Sequence, residues 1–319
     1  MSSSDIRKGK GRRAHRVRRD GGHGNGQSMR ARDASIRQLR NLKGSDAGNG
    51  DGQLAIAKKT ETQSVGHRSG STNGQVMTQR WEVKYVVNRS VRTALDRDLC
   101  ALMDPDKFSA RHGSYIVRSL YFDTMDYMAY HSKLAGEAVR HKLRTRIYTD
   151  KPDEAKMVRL EIKSRLISTV HKTAADVTVD NYMQMWEAIQ RRLLPAQELL
   201  DSDRGVREFF RLQKQFNMQP TILVQYRRRA FERNDLSRVR VNFDDHIVGS
   251  REMDLMAHIP NARQLLRYGH SVFEVKVDGV MPYWLHMLID KYGLQNQAFS
   301  KFCNAIDSEA RRSSILRDD

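Results

Sequence analysis

The stretch "VRLEIKSR", Val158 to Arg165, alternates strictly: Arg159, Glu161, Lys163 and Arg165 take every second place, with Val158, Leu160 and Ile162 between them. Successive side chains of a β-strand point to opposite faces, so the segment predicts a strand with one apolar and one charged face. The design recurs. "RWEVK" sets Arg80, Glu82 and Lys84 opposite Trp81 and Val83, and "HKLRTRIY" puts Lys142, Arg144 and Arg146 on one face. "VQYRRRAF" reads as Gln225, Arg227 and Arg229 opposite Val224, Tyr226, Arg228 and Ala230. "RVRVNFD" aligns Arg238, Arg240, Asn242 and Asp244, and "FEVKVD" aligns Glu274, Lys276 and Asp278. Strands are predicted over 80–86, 115–122, 139–148, 157–165, 169–178, 221–231, 238–246 and 272–278, and six of these eight share the pattern.

Two arrangements accommodate such faces. An open antiparallel sheet can leave one side in water. These faces, however, are rich in Arg and Lys, and like charges on adjacent strands repel. Their few acids sit beside bases: Glu82 between Arg80 and Lys84, Glu161 between Arg159 and Lys163, Glu274 before Lys276. The alternative closes the sheet, with the apolar side outward beneath helices and the charged side lining a tunnel. Low-dielectric walls would focus the field of that lining. A narrow, flexible polyanion such as triphosphate or polyphosphate would fit it. Arginine forks bind phosphate oxygens, lysines add point charges, and carboxylates can hold a divalent cation against the phosphate.

The 319 residues carry 56 Lys and Arg against 38 Asp and Glu, a formal charge of +18 that calls for an acidic partner. Composition breaks near residue 79. Residues 1–79 have no Phe, Tyr or Trp, hold 13 of the 20 glycines, and carry 16 Lys and Arg against 6 Asp and Glu. Such a segment buries too little apolar surface to offset its ordering entropy, so a disordered basic tail is expected there. Its run "RKGKGRRAHRVRR", Arg7 to Arg19, suits contact with polyphosphate, nucleic acid or anionic lipid. From Arg80 onward the chain is long enough for a sizeable core.

Helical stripes separate the strands: Val91, Leu95, Leu99 and Leu102; then Tyr182, Trp186, Ile189 and Leu193, with Asp180 as cap; then Val206, Phe209, Phe210 and Phe216. "MPYWLHMLIDKYG" opens near Pro282 and stops at Gly293. These stripes read as core. No window approaches the roughly 18 apolar residues of a membrane helix. Cys100 and Cys303 lack metal-site spacing, and a cytoplasmic protein is expected, with association with a membrane through a partner left open. The Gly-x-x-x-x-Gly-Lys-Ser/Thr loop and His-Glu-x-x-His are absent.

Taken together, "RWEVKYVV" (80–87), "RSLYFDTMDYMAY" (118–130), "KLRTRIY" (142–148), "RLEIKSR" (159–165), "QPTILVQYRRRAFE" (219–232), "VRVNFDD" (239–245), "FEVKVDG" (273–279) and "FSKF" (299–302) resemble the catalytic domain of the vacuolar transporter chaperone (VTC) family. Those proteins are polyphosphate polymerases of the triphosphate tunnel metalloenzyme superfamily. The resemblance implies an α+β fold: an antiparallel β-barrel tunnel of about eight strands with flanking helices, here over residues 80–315. It implies transfer of the ATP γ-phosphate to a growing polyphosphate, with Mn²⁺ or Mg²⁺ as cofactor.

Carried over by motif, the catalytic bases would be Lys84, Arg144, Arg146, Lys163, Arg227 and Arg240. Further phosphate contacts would come from Lys172, Lys276 and Lys301, with Lys142 and Arg159 added from the charged faces. Glu274 would hold metal, with Glu82 and Glu161 behind it. The superfamily often opens on Glu-x-Glu-x-Lys; here the first Glu is Arg80, a departure toward the polymerase branch. "VHKTA" (170–174) lacks a second base after Lys172, and the regulatory helical domain and membrane helices of eukaryotic members are not recognised. With water as acceptor the same tunnel would be a triphosphatase acting on an inorganic, nucleotide or RNA 5′-triphosphate; without turnover it would be a polyanion-binding module.

Overall fold

The structure, a computed structural model, describes residues 80–167, 169–233, 238–259 and 262–315. The expected tail, residues 1–79, lies outside the described residues. All eight predicted strands form: β1 (Arg80–Asn88), β3 (Tyr115–Asp123), β4 (Val139–Ile147), β5 (Met157–Leu166), β6 (Thr169–Thr178), β7 (Gln219–Arg233), β8 (Val239–Ser250) and β10 (His270–Asp278). Two-residue strands β2 (Asp104–Pro105) and β9 (Arg263–Gln264) extend the ladder on β7 and β8. The helices are α1 (Arg89–Leu102), α2 (Lys107–His112), α3 (Met128–Leu134), α4 (Val179–Gln190), α5 (Gln197–Asp201), α6 (Arg204–Gln215), α7 (Tyr283–Lys291) and α8 (Lys301–Ile315). None among the described residues is long and apolar enough to cross a membrane.

The sequence stripes mark α1, α4, α6 and α7, with local differences. Thr178, not Asp180, caps α4 by accepting from the Asn181 amide, and Asp180 sits in the first turn. Leu193 lies past the end of α4 and is exposed.

Every paired strand is antiparallel, in the order β1-β10-β8-β7-β3-β4-β5-β6. The expected closed barrel is not formed: among the described residues no ladder joins β1 to β6, and the sheet is open. A local cause is visible at β1. Its free edge is taken by the segment leading into α8, where the Gln297 amide donates to the Lys84 carbonyl at 2.8 Å and Tyr85 bridges Asn296. The open sheet is nevertheless strongly curled. Lys163 on β5 reaches Glu82 on β1 at 3.2 Å, although five strands separate them in the sheet order.

Curling gives the sheet two unlike sides. The convex side buries two apolar cores. One packs Leu120, Leu143, Leu160 and Ile162 under Tyr182, Trp186, Phe209 and Phe210 of α4 and α6. The other packs Phe231, Val241, Phe243, Phe273 and Val275 under Leu95, Leu99 and Leu285 of α1 and α7. The concave side carries the charges over most of its length. At one end it turns apolar: Val86, Ile222, Val224 and Val272 pack against Phe299, Phe302, Cys303 and Ala305, from α8 and the residues just before it. Gly249 on β8 permits this approach, since a Cβ there would lie 2.9 Å from that of Ala305.

Candidate functional site on the concave face

Ladder register fixes which side chains share the concave face. Tyr121, Arg144, Glu161 and Ala174 are successive partners across β3, β4, β5 and β6. Lys142, Lys163 and Lys172 form the next row, and Arg146 and Arg159 pair on the other side. From the opposite end of the sheet, Lys84 pairs with Glu274 and then Asn242, while Glu82 pairs with Lys276 and then Arg240.

Four carboxylates anchor this face, and each is shared by at least two cations. Glu161 is 3% exposed; it accepts from Arg144 Nε at 2.5 Å and Lys172 Nζ at 2.8 Å, with Arg146 Nη1 at 3.5 Å. Asp244, fully buried, is gripped by both nitrogens of the Arg228 fork at 2.7 and 2.8 Å and by Lys301 at 2.5 Å. Glu274 pairs with Lys276 at 2.8 Å and lies 3.7 Å from Arg228. Glu82 pairs with Lys84 at 3.0 Å and Lys163 at 3.2 Å. Burial opposes ionisation of all four, but the neighbouring cations outweigh it, and each carboxyl is held below its ordinary range.

Lys142 has no such partner among the described residues. Its ammonium stands 4.8 Å from the Phe302 ring centre and 5.7 Å from that of Tyr121. Burial pulls it down to about 8, with Arg144 and Lys84 acting in the same direction. Burial alone would raise the neighbouring Tyr121 phenol, but Arg144, Lys142, Arg146 and Lys301 outweigh it and bring the group to about 8. The Tyr121 oxygen accepts from Arg144 Nη1 at 3.3 Å.

The sequence-predicted residues thus fall into groups. Lys84, Lys142, Arg144, Arg146, Lys163, Lys172, Lys276 and Lys301 meet on the concave face with Glu82, Glu161 and Glu274. Arg159 shares the face but is spent on Asp176 at 2.6 and 2.8 Å, and Arg240 pairs with Glu232 at 3.1 Å toward an exposed end. Arg227 is exposed and stands on the other side of β7. The odd residues of β7 face the convex side, where Gln225 meets Arg118 and Arg229 meets Asp96. Its even residues, Tyr226 and Arg228, face inward. Three consecutive arginines carry no phase of their own, so alternation alone does not say which of them turns inward. Sequence reasoning also left out Asp244 and Tyr121 as site residues, although both stand in the motif stretches.

Among the described residues no three His, Cys, Asp or Glu come together as a ready metal cage. Glu161 is enclosed by three cations and suits a metal poorly. Glu274 and Glu82 lie close enough to feel each other's charge. Two carboxylates fit a divalent ion such as Mg²⁺, which commonly takes one or two protein carboxylates and completes its shell with substrate phosphate and water. An open hollow of about 760 Å³ lies away from this face, at the start of α1 between Arg89, Arg97 and Tyr268; the charged chemistry is not there.

Three solved structures are similar over most of the chain. A Hippeastrum protein described as an adenylyl cyclase with a dominant triphosphatase activity shares 15% identity over 71% of this chain and 95% of its own, at TM-score 0.43. The PH1819 protein of Pyrococcus horikoshii OT3 shares 11% over 72% of this chain and 99% of its own, at TM-score 0.38. A Vibrio parahaemolyticus protein assigned as an adenylate cyclase shares 10% over 69% of this chain and 94% of its own, at TM-score 0.33. Comparison with curated proteins finds no match. The VTC domain model matches residues 79–309, and by that match the chain belongs to the VTC-domain family.

Proposed function

We propose that the concave face binds the triphosphate of ATP, or a longer phosphate chain, and catalyses transfer of a terminal phosphoryl group. The observation that carries this reading is the four-carboxylate arrangement in which Arg and Lys outnumber acids on a half-buried concave surface. Phosphoryl transfer needs position and charge neutralisation more than covalent chemistry. Arg144 and Arg228 are already oriented by Glu161 and Asp244, so their remaining N–H groups meet phosphate oxygens with little loss of freedom. Lys84, Lys276 and Lys301 add charge along the chain. A divalent ion, Mg²⁺ or Mn²⁺, held by Glu274 with Glu82, would supply further neutralisation of the phosphate oxygens.

The acceptor we favour is the terminal phosphate of a polyphosphate chain. All four carboxylates are held strongly ionised by their cations, so none is poised to take a proton from water near neutral pH. A phosphate acceptor is already an anion and needs no base. Water is the second reading, and the half-exposed side chains of Lys163 and Lys172 support it, since solvent reaches that edge of the face. The test is purified protein with ATP and Mn²⁺, resolved on a gel that separates phosphate chains. A growing ladder with ADP supports polymerisation. Phosphate release without a ladder supports hydrolysis. No turnover of any triphosphate overturns both.

A further inference from the structure

We propose that Lys142, with the Tyr121 phenol and the Phe302 ring around it, forms a subsite for the free end of the phosphate chain, where the concave face meets an apolar wall. The inference rests on the phosphate-binding reading above and deepens it.

Two independent observations meet at this residue. The first is a wall. Along β1 and β10 the inward side chains run from Glu82 and Lys84, and from Lys276 and Glu274, straight to Val86 and Val272. Those valines are packed beneath Phe299, Phe302 and Cys303. A phosphate chain lying on the charged face stops there, because burying phosphate against an apolar wall is costly. The second is charge still available. Beside Lys142, the half-buried or buried cations of the face are neutralised by Glu82, Glu161, Glu274, Asp244 or, for Arg159, Asp176, and Arg140, one place further out on β4, turns back to the Glu137 carbonyl at 2.5 Å. Lys142 meets aromatic rings and no carboxylate among the described residues.

A free phosphate end differs from an inner phosphate in the two properties this corner reads. It carries more negative charge, close to two at neutral pH, and one more non-bridging oxygen. The ammonium of Lys142 and the phenol of Tyr121 can donate to those oxygens, and the phenol is already aligned by Arg144. An esterified end presents neither the charge nor the oxygen, and its substituent would meet Phe302. The site would therefore select chains by their free end.

The experiment compares two ligands with the same number of phosphates, adenosine tetraphosphate with one free end and diadenosine tetraphosphate with none. Binding to the full chain is read by titration calorimetry without metal. We expect the free-ended ligand to bind about tenfold or more tightly, as loss of a charge-assisted contact implies. Lys142→Met should abolish that preference, and Lys142→Arg should retain most of it. Equal affinity of the wild type for both ligands overturns the subsite while leaving phosphate binding intact. So does an equal loss of both affinities in Lys142→Met, which would make Lys142 one more general cation. No binding of either ligand overturns the phosphate-binding reading as well.

Discussion

Glu161 sits among Arg144, Arg146 and Lys172 with almost no access to water, and it is the residue on which that side of the site is built. Removing one partner of a buried charge cluster leaves the rest uncompensated, at a cost of about 3–5 kcal/mol. Glu161→Gln should lose stability of that order in urea at pH 7 and recover part of it when tripolyphosphate is added. The pH dependence follows from the depressed carboxyl. Unfolded glutamate titrates near about 4.3, so the stabilisation is fully present above that value and is lost as pH falls through the lower folded-state value. The stability gap between wild type and Glu161→Gln should therefore narrow between pH 7 and pH 3; a constant gap would show that ionised Glu161 is not its source. Residue identity on β7 gives a second prediction. Arg228→Ala should weaken tripolyphosphate binding about tenfold or more, while Arg227→Ala should leave it within about twofold. Most of the site was legible residue by residue wherever charged and apolar positions alternate cleanly, as in Glu82–Lys84, Lys142–Arg146 and Glu274–Lys276. It was not legible at Arg227–Arg229, where both phases are charged and only the pairing of Arg229 with Asp96 and of Gln225 with Arg118 decides.

At the scale of elements, the strands were readable because period-2 alternation survives in each. α1, α4, α6 and α7 were readable because each sets an apolar stripe on the convex face. α8 was not. It packs against the concave side of the sheet, so its partners are the apolar ends of charged strands, such as Val86 and Val272, and no local pattern announces them. Its seat depends on Gly249, where a Cβ would lie 2.9 Å from the Ala305 Cβ and 3.1 Å from Leu265. Gly249→Ala should overpack this contact and cost about 1–3 kcal/mol in chemical denaturation. Phe302→Ala should cost about 3–5 kcal/mol, since it empties a fully buried ring site. Near-neutral results in both would mean that α8 is not anchored as described.

For the whole molecule, the sequence pointed to an inward charged face but not to how the sheet ends. Alternation tells which side chains share a side; it is silent on whether first and last strands pair. Here the segment around Asn296 and Gln297 occupies the β1 edge, and side chains such as Lys163 and Glu82 bridge the gap where a backbone ladder would close a barrel. We propose that the chemistry belongs to the part from residue 79 onward, so a chain lacking residues 1–78 should keep the turnover rate of the full chain; loss of turnover with folding intact would assign the tail a part in the reaction.

The central claim is that phosphate is held on the inside of this curled sheet. Diffraction from crystals grown with tripolyphosphate tests it most directly. The account predicts phosphate density between Arg144, Arg228 and Lys301, with its free end toward Lys142. Density confined to the convex surface or the helices, with the concave ion pairs undisturbed, would contradict it.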